Sequence, residues 1–102
     1  MIKHIVMWKL HKEANGQTNK ENAIEFKKRL EELPEKIDAL ESLEVGIGYK
    51  DPDGPVFDLV LTTTHVSKKK LEEYAAHPDH QLVVAYAVDI VEERRVVDYE
   101  IN

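Results

Sequence analysis

The side chains of this sequence best suited to proton chemistry are imidazoles, and they are unevenly placed. His77 and His80 flank Pro78 in the stretch Tyr74-Ala75-Ala76-His77-Pro78-Asp79-His80, where a helical run from Leu71 to Ala76 meets a residue that resists continuation. His4 lies in an apolar stretch at the other end of the sequence. A neutral imidazole near pH 7 can take a proton and return it, so one histidine in a partly apolar pocket suffices to enolise a carbonyl compound. A second polar group must then hold the oxyanion, and His4 or Tyr74 could donate to it. His80, His4 and Tyr74 are therefore the candidate catalytic set. The alternative is that these rings are structural, with His80 bonding backbone carbonyls where helix and loop meet.

Around that set, Trp8, Phe26, Tyr74 and Tyr86 could line an apolar ligand pocket between helices and sheet, with His77 as a further contact. Core packing explains the same residues with nothing further, and is the favoured account for Trp8 and Phe26. His77 and His80, three residues apart, could face one way toward a metal. A third ligand would have to come from Asp98 or His4, and the set is too sparse for a structural zinc site. No metal or cofactor is expected. His77, directly before a proline, reads as a helix-end residue held extended. Asp58 and Asp98 lie in or beside strands and read as charges that discourage edge-to-edge pairing, the alternative being general bases. Tyr49 and Tyr99 read as interface or core aromatics, and His11 and His65 as residues in or beside loops that carry no role.

Composition narrows the partners. The 102 residues are read as one domain, 1–102, and 20 acidic against 14 basic residues give a formal charge of −6. That balance excludes general binding to a phosphate backbone, which needs clustered Lys and Arg. The one basic run, Lys68-Lys69-Lys70, is followed by Glu72-Glu73, which cancels its field locally. With no cysteine, the chain offers no disulfide, thiolate nucleophile or Cys-ligated zinc. No apolar run approaches the ~20 residues of a membrane-spanning helix, and the N-terminus is too interrupted by charge for a signal peptide. The expected setting is cytoplasmic.

The elements that must position the imidazoles follow from periodicity. Residues 2–10 alternate on two faces, neither fully polar, which predicts a strand covered on both sides. Residues 11–17, with Asn15-Gly16, predict a loop. Thr18 with Glu21 fits a capping box, and Ala23, Phe26, Leu30, Leu33, Ile37 and Leu40 form one apolar stripe. Pro34 should end the helix near Leu33 and leave a shorter turn to about Leu40. Leu43–Tyr49 alternates with glycine at 46 and 48, Asp51–Pro55 is a dense turn signal, and Val56–Thr64 is β-branched, so the two segments predict a hairpin. Ser67 caps a helix through Ala76. After Pro78 a second stripe runs over Leu82, Val83, Tyr86, Val88 and Ile90, and Arg94–Ile101 returns to a strand. The order is β-α-β-β-α-β, the ferredoxin-like pattern of α+β proteins.

Such a sheet carries helices on one side only. Either Ile5 and Met7 or Val6 and Trp8 must point away from them, and Leu43, Val45 and Ile47 with the Leu and Val of the next strand extend the apolar surface. A contiguous apolar face marks an interface, and two such sheets closing about a two-fold axis predict a homodimer.

The sequence resembles the stress-responsive dimeric α+β barrel (Dabb) family over essentially its whole length. The likeness is carried by Ile2–Lys9, Leu33-Pro34, Gly46-x-Gly48, Asp58-Leu59, Tyr74-x-x-His77-Pro78-x-His80 and Val97-Asp98-Tyr99. It implies a ferredoxin-like fold whose dimer encloses a barrel of two sheets, in a family with many members of no assigned activity. A plant branch, olivetolic acid cyclase, closes a linear polyketide by an aldol condensation, with a histidine after the His-Pro pair as base. The resemblance places His80 at that position, His4 at that of a strand-one pocket histidine and Tyr74 at that of a helix tyrosine near the substrate. Phe26 stands where that enzyme has a further pocket tyrosine, a departure that removes a hydroxyl.

Three functions are compatible with these readings. The chain binds a small apolar or aromatic metabolite; or it is a cyclase-like lyase with His80 as base; or it is a structural stress protein whose histidines only pack.

Overall fold

The computed structural model describes residues 1–49 and 56–101. The elements follow one another as β1 (Ile2–Leu10), β2 (Glu13–Ala14), β3 (Gln17–Thr18), α1 (Asn19–Glu31), β4 (Ser42–Ile47), β5 (Leu59–His65), α2 (Lys68–Ala76), α3 (Pro78–Ala87) and β6 (Val91–Glu100). A short 3-10 turn, Leu33–Glu35, follows α1. The main sheet is antiparallel throughout, in the order β4-β5-β1-β6. This is the ferredoxin-like α+β arrangement, with both chain ends on neighbouring central and edge strands.

Local chemistry accounts for the boundaries. Thr18 caps α1 reciprocally: Glu21 N donates to Thr18 Oγ1 at 3.2 Å, and Thr18 N donates to Glu21 Oε1 at 2.9 Å. All six residues of the expected α1 stripe, from Ala23 to Leu40, are buried. Pro34 stops the helix as its missing N–H requires, and the chain continues as the 3-10 turn. The segment expected as a loop over 11–17 instead contains the hairpin of β2 and β3. Asn15 (φ 54°) and Gly16 (φ 76°) adopt the left-handed backbone of a two-residue turn. Asn22 Nδ2 donates to Ala14 O at 3.1 Å and ties that hairpin to α1. The expected turn at 51–55 lies outside the described residues, but β4 and β5 pair antiparallel as its hairpin would demand. At Gly48 a Cβ would sit 3.1 Å from Phe57 O, so the glycine permits the approach of the two segments.

The even residues of β1 (Ile2, His4, Val6, Trp8, Leu10) face the helices and are buried. Val6, Trp8 and Leu10 pack with Phe26, Leu30, Leu33, Leu59, Leu61, Tyr74 and Ile90. The opposite face presents Ile5, Met7, Val60, Val97 and Tyr99, of which Met7 is 40% and Val97 54% exposed. One expectation needs correction. Val45 lies opposite buried Leu61 and Leu43 opposite buried Thr63, so β4 turns its apolar residues toward the helices and offers Glu44 and Gly46 outward. The open apolar face is therefore centred on β1, β6 and Val60.

The helices pack chiefly on β4, β5 and β1, leaving the inner side of β6 thinly covered. The expected stripe on α3 is accordingly incomplete: Ile90 just beyond it is buried, Val83 and Tyr86 are half-buried, and Leu82 and Val88 are exposed. No helix among the described residues is long and apolar enough to cross a membrane.

Candidate functional site

Where β6 leaves the helices, a cavity of about 360 Å³ opens between α1, α3 and the inner face of β1 and β6. Its walls are mostly apolar, with Trp8, Phe26 and Leu30 on one side and Val83, Ala87 and Val88 on the other. Trp8 and Phe26 stack at a tilt with centroids 4.6 Å apart. Polar groups are few: His4, His80 and Arg94. A small hollow of this kind, apolar with sparse polar groups, is what ligand sites generally look like.

Each imidazole is oriented by one partner. His80 Nδ1 lies 2.9 Å from Ala75 O, and because a carbonyl only accepts, Nδ1 carries the proton and Nε2 keeps its lone pair. Burial holds this ring below its ordinary imidazole value, with the charges of His4, Arg94 and His77 adding to the effect and the Ala75 carbonyl opposing it. His80 is thus a neutral base at pH 7. His4 Nδ1 bonds the Asp98 carboxylate, directly opposite it on β6. The pairing of β1 with β6 creates this dyad, since the two residues are far apart in sequence. Asp98 is therefore not simply an edge charge: its carboxylate fixes the His4 ring, a role for which the sequence carried only the shared phase of the two strands.

Tyr74 stands behind the cavity wall, not in it. Its ring centroid lies 4.6 Å from that of His80, 5.0 Å from His65 and 6.4 Å from His4. Burial pushes its phenol well above the ordinary value, so it stays protonated, and the buried hydroxyl has no hydrogen-bond partner among the described residues. His65, placed by the sequence in or beside a loop and given no role, is the fully buried last residue of β5. Its Nδ1 donates to Ala39 O at 2.8 Å and its Nε2 pairs with Thr63 Oγ1 at 2.9 Å.

Two expected contacts lie elsewhere. His77 is the shared boundary of α2 and α3, where Asp79 N donates to its Nδ1 at 3.1 Å. It does not line the cavity, because capping fixes its ring at the helix start. Tyr86 packs behind Phe26 with Arg29 4.0 Å above its ring, also outside the cavity. Asp58 is buried rather than an edge charge: β5 is a central strand, and Asp58 Oδ2 accepts from Leu10 N at 2.7 Å. Among the described residues no group of three or more histidines and carboxylates is placed to hold a metal.

The fold and the hollow define a class, the ferredoxin-like proteins of the dimeric α+β barrel kind. The model of the stress-responsive A/B barrel domain, Dabb, matches residues 2–101, and the chain belongs to that family. It is similar in structure to a dimeric protein of unknown function from Bacteroides fragilis, at 29% identity and TM-score 0.87, covering 98% of this chain and 95% of that one. A dimeric ferredoxin-like protein of unknown function from Thermobifida fusca follows at 22% identity and TM-score 0.78, covering 98% and 90%. An Arabidopsis thaliana protein is similar at 19% identity and TM-score 0.80, covering 100% and 96%. A search of curated proteins finds no match.

Proposed function

We propose that the cavity between α1, α3 and β6 binds a small apolar or aromatic metabolite, and that His80 is the group that makes the site chemical. The observation that carries this reading is the combination of an open hollow with an imidazole whose Nδ1 is committed to Ala75 O and whose Nε2 is not. Where the ligand has an acidic C–H beside a carbonyl, Nε2 takes that proton and the bond's electron pair moves to the carbonyl oxygen as an enolate. His4, its ring oriented by Asp98, lines the same hollow and is the polar group that faces the developing oxygen. A thermal-shift screen of small carbonyl and phenolic compounds tests binding, since a ligand selective for the folded state raises its melting temperature by mass action. Proton transfer is tested by deuterium exchange at the α-carbon of a bound β-diketone. His80→Ala abolishes exchange and leaves the fold intact; unchanged exchange removes His80 as the base.

The same reading makes the protein a homodimer through the open sheet face. It is supported by the half-buried Ile5 and the exposed Met7, Val97 and Tyr99, and by the dimers described for the Bacteroides fragilis and Thermobifida fusca relatives. Met7→Lys on that face yields a monomer by sedimentation. If the wild-type chain already sediments as a monomer, the assignment fails.

A further inference from the structure

The inner face of β6, whose Arg94 lines the cavity, has an electrical polarity that the apolar walls conceal. On β6 the residues facing inward toward β1 are Arg94 opposite Trp8, Val96 opposite Val6 and Asp98 opposite His4. One face of one strand thus sets a guanidinium and a carboxylate at opposite ends, separated by four residues, roughly 13 Å of extended chain. Asp98 is committed to His4. Arg94 has no comparable partner among the described residues, although its neighbours do. Glu92 takes Lys9 at 2.8 Å and Glu93 takes Arg95 at 2.9 Å, so the two nearest cations are neutralised and the one in the cavity wall is not. In a chain with 20 acidic residues to 14 basic ones, an unpaired arginine on the wall of an apolar hollow is a specific placement.

We propose that the metabolite is a small monocarboxylate with an apolar or aromatic body, its carboxylate held by Arg94 and its body against Trp8, Phe26, Val83 and Ala87. This deepens the functional reading above and rests on it. A planar guanidinium matches a carboxylate with two parallel N–H···O bonds, which a neutral carbonyl cannot reciprocate as strongly. A single positive charge balances a single negative one. Phosphorylated or polyanionic ligands are disfavoured, because the cavity wall offers no second lysine or arginine and the chain as a whole repels them with a charge of −6. Anchoring the head at Arg94 directs the rest of the molecule along the strand toward His4 and His80. The arginine therefore selects which carbon of an oxo acid meets the base.

The test compares matched acids and amides on the intact protein: phenylacetate, 3-phenylpropanoate and octanoate against their carboxamides, by calorimetry at low and moderate salt. The wild type prefers at least one acid over its amide by roughly ten-fold, the scale of a hydrogen bond to a charged group, and the preference shrinks as salt rises. Arg94→Gln removes the preference by weakening the acid and leaving the amide unchanged. Lys28→Gln, the same charge change on the exposed side of α1, leaves it intact. Equal binding of acid and amide, untouched by Arg94→Gln, overturns the carboxylate assignment while sparing the cavity as a binding site. Failure of every acid and amide to bind overturns both.

Discussion

Two corners of the inner sheet face meet at Tyr74, and they treat the same side chain oppositely. On the β4–β5 side, His65 is sealed: one ring nitrogen reaches Ala39 O, the other Thr63 Oγ1, and the cavity described above does not reach it. On the β1–β6 side, His80 and His4 each give one nitrogen to the protein and border a hollow. The chemical identity of a histidine therefore says little about its task. What distinguishes the corners is whether the second nitrogen is already spoken for, and that is decided by how far the helices extend over the sheet.

This contrast can be broken most severely by deletion. His65→Ala strips buried Thr63 and half-buried Ala39 of their hydrogen bonds and should cost about 3 kcal/mol in urea unfolding, whereas His80→Ala should cost less than about 1 kcal/mol. Equal losses would erase the distinction. Overpacking sharpens it next. Ala23, in the solid part of the core, and Ala87, on the cavity wall, are both buried. Ala23→Leu should destabilise by about 1–3 kcal/mol. Ala87→Leu has room to turn into the hollow, so its cost falls below that and it blocks ligand uptake instead.

The smallest effect is a pH dependence. His65 is held below the ordinary value of 6.5, by burial first, partly opposed by its bond to Ala39 O. Its native value being depressed, the unfolded chain binds the proton more readily. Its contribution to stability is complete above about pH 6.5 and is lost as pH falls toward the lowered native value. His80 acts in the same sense, since its native value is also depressed. Urea midpoints at pH 7.5 and 5.5 should therefore converge in a His65→Gln variant relative to the wild type. An unchanged gap would show that the sealed ring does not carry it.

Much of this architecture was legible in the order of residues. The capping box at Thr18 and Glu21, the stop at Pro34, the break at Pro78 and the β-α-β-β-α-β order all rest on interactions within a few residues, so local pattern suffices to read them. The family likeness likewise pointed to the fold that is found. What local pattern does not encode is register. The His4–Asp98 dyad, the exposure of Arg94 to the cavity and the sealing of His65 depend on which residues of distant strands lie opposite each other. The side taken by Leu43 and Val45 is hidden for the same reason: alternation gives two faces but not which one the helices cover. Asn15-Gly16 carried a legible turn signal, but the strands it joins have only two residues each and leave no periodicity to detect.

The double service of His77 has a mechanical consequence. Because one residue both closes α2 and opens α3, the elbow between them contains no slack. Tyr74 and His80 are geared together across it, and a single inserted residue would rotate everything downstream by about 100°, swinging the free nitrogen of His80 out of alignment with the hollow while each helix stayed whole.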